Sequence, residues 1–149
     1  MYSILLAVHN VLRWVVVVLA ILALVRAYRG WLGRRDWGSA DRRAGVFFTS
    51  FMDLQLLLGL LLYIFFSPIT KAALADFGAA MSNAGARFFA LEHFVYMFVA
   101  VVFAHMGNAF SKKAAEPHAK HQRAAIWYTL TVLAILLGMP WMRPLFPGW

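Results

Sequence analysis

Two histidines set the chemistry open to this chain: His9, followed four residues on by Arg13, and His93, preceded by Glu92. Both fall in long apolar stretches, the first and the third of four, at similar distances from the starts of those stretches. In an up-and-down bundle the first and third spans run parallel, so two such residues lie level. Two level neutral imidazoles are the donor set that fills both axial positions of one iron in a planar macrocycle. A buried network in which each ring bonds across helices is the cofactor-free alternative.

The elements that must carry these rings are transmembrane helices. The 149 residues are 63% hydrophobic and 13% charged, too little polar surface to coat a soluble domain of this size. The apolar stretches cover 4–28, 46–66, 88–110 and 124–141. Each is close to the about 20 residues an α-helix needs to cross about 30 Å of hydrocarbon. Unbroken runs such as Val15-Val16-Val17-Val18 exclude the alternating pattern of a membrane barrel. The expectation is an all-α, integral membrane, up-and-down four-helix bundle that uses 1–149 as one domain. The first stretch is expected to be retained, since it is long for a signal peptide and lacks a basic start.

Orientation follows from the basic loops. Arg26, Arg29, Arg34, Arg35, Arg42 and Arg43 flank the first connection, and Lys112, Lys113, Lys120 and Arg123 the third; the other face carries Lys71, Arg87 and Arg143. Both basic connections are expected in the cytoplasm and both termini outside it, in a bacterial inner membrane. The net charge of +8 is then explained by topology and anionic headgroups, which makes lipid a partner and nucleic acid not one. Most of the tryptophans, Trp149 among them, fall near span ends, where indoles favour the interface. The absence of cysteine excludes thiolate metal sites and covalent haem attachment.

Stepping by helical turns from His9 gives Val16, Ala20, Ala23 and Ala27, and from His93 gives Met97, Ala100, Ala104 and Gly107. Such faces permit close helix approach, or they make room for a flat ring beside Met97. Adjacent helices pack about 8 to 10 Å apart and the diagonal pair of a square bundle about 13 Å, wide enough for a macrocycle between the first and third spans. An acidic macrocycle edge would pair with Arg87 or Arg13, although an ion pair between Arg13 and Glu92 would also explain both charges. His105 lies about 18 Å along the helix from His93, too far for the same iron. A second haem or metal between His105 and His121 is a lesser expectation, and Asp53 approaches His105 in depth as an orienting carboxylate. Gln55, Gly59 and Tyr63 share one face of the second span and either touch a quinone headgroup or pack as core. The segment 71–81 reads as a short amphipathic piece lying on the surface.

The pattern His9-x-x-x-Arg13-Trp14, Gln55-x-x-x-Gly59-x-x-x-Tyr63, Arg87-x-x-x-x-Glu92-His93 and Lys120-His121 resembles small bacterial four-span proteins of cytochrome b-like type, over most of the chain. More distantly it resembles the four-helix cytochrome b561 type, whose two haems sit on histidine pairs; here only one intramembrane pair is level. The resemblance implies one haem b, or two, and electron transfer, with quinone and a respiratory or photosynthetic complex as partners. Two other classes stand beside it: an accessory subunit of a larger membrane complex without its own redox cofactor, and a small membrane oxidoreductase acting on quinol or porphyrinogen. No nucleotide-binding or hydrolase motif is present.

Overall fold

A computed structural model describes residues 1–141. Arg143 and Trp149, assigned above to the terminal face, lie outside the described residues. The order is α1 (Tyr2–Leu32), α2 (Ser39–Leu61), α3 (Pro68–Ala75), α4 (Phe77–Ser82), α5 (Ala84–Arg87), α6 (His93–Lys113) and α7 (Pro117–Gly138). The described chain is all-helical, with no strand. Three continuous helical stretches are long and apolar enough to cross a membrane: Tyr2–Leu32, Ser39–Phe66 and Ala84–Lys113. The fourth apolar stretch ends earlier than its composition predicts, because α7 stops at Gly138, two residues before Pro140.

Surface and core are inverted relative to a soluble protein. Leu57, Phe98 and Leu137 stand more than half exposed, whereas Ala20, Ala23, Ala27, Ala100 and Ala104 are buried. Water would not stabilise such a surface, and lipid does.

The four long helices form a ring: α1 packs on α2 and α7, and α6 packs on α2 and α7. α1 and α6 therefore face one another diagonally. Short connections close the basic end. There Arg34 takes a left-handed backbone (φ 47°), and Arg35 N–H donates back to the Gly30 carbonyl at 3.0 Å, a C-terminal wrap that stops α1. At the opposite end, α3, α4 and α5 each begin with a side-chain cap, from Ser67, Asp76 and Asn83. The expected surface segment is thus a string of short helices, whose Ala73 and Ala80 pack against Ala90. π-helical turns at Leu62–Phe66 and Phe88–Glu92 join this cap to α2 and α6, the second immediately before His93. Such widened turns are common beside functional groups.

Candidate functional site

A cavity of about 520 Å³ opens at the end of the ring where α1 begins. It is bounded by the first half of α1, the last half of α2, the π turn after it, the start of α6 and the end of α7. Its volume falls in the range usual for cofactor sites. His9 and His93 both line it, from the diagonal helices, together with Arg13 and Met97. The rest of the wall is mainly apolar, including Leu6, Val17, Leu56 and Val101.

Each imidazole is anchored through one nitrogen. His93 Nδ1 lies 2.6 Å from the Gly138 carbonyl, which fixes Nδ1 as the protonated donor. Gly138 makes this possible: a Cβ there would come within 2.6 Å of Met97 Cε and 2.7 Å of Tyr96 Cβ, so only glycine lets α7 approach α6 this closely. His9 is held from α2. The Gln55 side-chain amide donates to the His9 carbonyl at 3.1 Å and reaches His9 Nε2 at 3.2 Å. Gly59, one turn on, leaves the ring its space, since a Cβ would stand 3.3 Å from His9 Cε1. The other nitrogens, His9 Nδ1 and His93 Nε2, have no hydrogen-bond partner among the described residues, and His9 Nδ1 is fully buried. Gln55 Oε1 is also buried without a partner there.

The remaining polar groups are arranged differently from the sequence expectation. Glu92 is engaged by Arg87 at 2.7 Å, not by Arg13, and Arg87 also donates to the Met81 carbonyl. Arg87 is thereby tied to the cap helices and lies outside the cavity wall. Arg13 instead lines the cavity, its guanidinium 5.7 Å from the Trp14 ring centre. Tyr63 reaches across to the Ala90 carbonyl at 2.6 Å, so its hydroxyl ties α2 to the start of α6 while its ring borders the cavity. The alanine faces do not make room for a ring. Ala20, Ala23, Ala100 and Ala104 are packed in the core beyond the cavity, and the lining at that depth comes from Val16, Val17, Met97 and Val101.

His105 and His121, paired in the sequence reading as a second haem or metal site, have different neighbours among the described residues. His121 is buried against α1 and the first connection: its ring lies directly over Gly30, 4.8 Å from the Trp37 ring centre, with Nε2 3.4 Å from the Asp36 carbonyl. His105 points the other way, toward α2, with Nε2 2.7 Å from Asp53 Oδ1. The depth match between Asp53 and His105 is real, but the pair faces outward. Sequence reasoning gave Gly138 no role. Its signal was only a glycine near the end of an apolar run, which reads equally as a helix stop.

Among the described residues, the fold is all-helical, with three helical stretches long and apolar enough to cross a membrane and a histidine-lined cavity between diagonal helices. Comparison with known protein families, with curated proteins and with solved structures gives no match.

Proposed function

We propose that this protein is a membrane b-type cytochrome, an electron carrier that holds one haem between His9 and His93. One observation carries the reading: two imidazoles line a single cavity from diagonal helices, His93 with Nδ1 donating to Gly138 and Nε2 left as an unpartnered acceptor, His9 with Nε2 accepting from the Gln55 amide and Nδ1 left unpartnered. Iron at His9 would take Nε2 in place of that amide. In a cofactor-free network those nitrogens would be expected to bond each other or the backbone, because an unpaired buried polar atom costs about 1 to 3 kcal/mol. A ring nitrogen donating to a backbone carbonyl, as His93 Nδ1 does to Gly138, is the usual outer support of a metal-binding imidazole. His9 and His93 are the residues that would hold the haem iron, and the bound haem would supply one-electron redox chemistry.

The chain's own residues do the rest. Gly138 and Gln55 orient the two rings, Gly59 admits the first of them, and the apolar wall excludes water from between them. Arg13 supplies a cation in the same wall for the group's carboxylates. The reading includes the finer architecture: a four-span bundle with α7 as the fourth crossing, both basic connections in the cytoplasm and both termini outside a bacterial inner membrane. The apolar run of α7 from Ile126, packed on α1 and α6, supports it.

The test is the absorption spectrum of the protein purified from haem-replete membranes. A stoichiometric Soret band with reduced b-type bands is expected, and its loss in both His9→Ala and His93→Ala variants that still extract as folded protein. A colourless wild-type protein would end the proposal.

A further inference from the structure

We infer that the outward face of α2 and α6 docks against the same face of a second copy of this chain. The observation is the Asp53–His105 pair. Its atoms lie 2.7 Å apart, yet both side chains are half exposed, at 50% and 51%. His105 is seven residues from Lys112 and Asp53 ten from Arg43, so at about 1.5 Å per residue both sit about 10 to 15 Å in from the basic ends of their helices. Their outward neighbours are Leu54, Leu57, Phe98 and Val102, each at least 40% exposed. Three other ionisable groups at membrane depth, His9, Arg13 and His93, line the internal cavity. Ionisable side chains in spans almost always face a bundle interior or an aqueous cavity, because lipid leaves their remaining hydrogen-bonding positions unsatisfied. Here Asp53 Oδ2 and His105 Nδ1 have no partner among the described residues.

The chemistry of the pair selects the occupant. It offers one acceptor, Asp53 Oδ2, and one ring nitrogen able to donate, His105 Nδ1. A copy related by a two-fold axis offers the same two in reverse order, so each Nδ1–H meets the other chain's Oδ2 and every position is filled. That self-complementarity is what a two-fold interface requires. The surrounding surface suits it: Val95, Phe98, Val102, His105 and Ala109 are exposed along α6 at alternating spacings of three and four. This is an apolar helix-pairing seam with one polar position to fix its register.

The chain has no cysteine, so single cysteines report the interface directly. Val102→Cys and Phe98→Cys are compared, in oxidised native membranes, with Val18→Cys on α1 and Leu133→Cys on α7, which are equally exposed apolar positions on other faces. A disulfide-linked dimer of this chain is expected from at least one seam position and only background from the two controls. Adding Asp53→Asn should lower the dimer yield roughly three- to tenfold, the range that interhelical polar bonds support in lipid. The inference is overturned if both seam positions cross-link no better than Val18→Cys, if the adduct contains a different protein, or if Asp53→Asn leaves the yield unchanged. None of these readouts depends on a haem.

Discussion

The same four helices build two unlike halves. Toward the basic end every glycine on a helix face receives a ring: Gly30 takes His121, Gly45 takes the Tyr128 hydroxyl, and a Cβ at Gly107 would stand 2.6 Å from Tyr128 Cε1. Ala100, Ala104, Ala124 and Ala125 pack among them at 0 to 1% exposure. Toward the other end, Gly59 leaves space for the His9 ring, the Gly138 carbonyl holds His93, and the space between the helices stays open. Small residues therefore close one half by letting helices touch, and hold the other half open by giving imidazoles a fixed place. A rigid closed half is what allows an open half to keep two rings apart without collapsing.

Four substitutions break or sharpen that contrast. The largest effect is expected from His93→Ala, which removes the ring anchored by Gly138 and should abolish the Soret band of purified protein while leaving its elution from a sizing column unchanged. Next is Gly30→Val in the closed half, where the new side chain must displace the His121 ring. Overpacking of this kind costs about 1 to 3 kcal/mol, read as a lower midpoint in thermal unfolding in detergent, with the spectrum of the remaining folded fraction unaltered. Gln55→Leu acts on the open half alone: it frees His9 and should weaken haem retention about tenfold to a hundredfold, measured by transfer to apomyoglobin. The smallest effect is expected from Arg87→Gln. Its pair with Glu92 is more than a third exposed on both sides, so stability should fall by less than about 1 kcal/mol, and the haem spectrum should not change. A large spectral change in Arg87→Gln would put the cap, not the cavity, at the centre of the site.

The division was only half legible in the sequence. Hydropathy located the helices, and matched depth singled out His9 with His93 and Asp53 with His105, because position along a helix follows from counting residues. What counting does not give is how each helix is rotated about its own axis. The stripes Ala20–Ala23–Ala27 and Ala100–Ala104–Gly107 were legible as faces, but whether a face meets another helix or a void depends on its neighbours, and here both meet helices. For the same reason His105 and His121 pointed apart, since they extend from α6 and α7 toward different neighbours, α2 and α1. Glu92 pairs with Arg87 and not with Arg13 because the two lie five residues apart on one continuous helical stretch, across the π turn Phe88–Glu92. Three short capped helices in a row leave only a weak periodic signal, and their packing was not readable from it.

Near-infrared magnetic circular dichroism of the oxidised, purified protein tests the central claim most directly, because its charge-transfer band reports which two side chains hold a low-spin haem iron. The account predicts the signature of two neutral imidazoles in the wild type, changed or lost in His9→Ala and in His93→Ala alike. A signature of any other ligand pair, or one that survives either substitution, would contradict it.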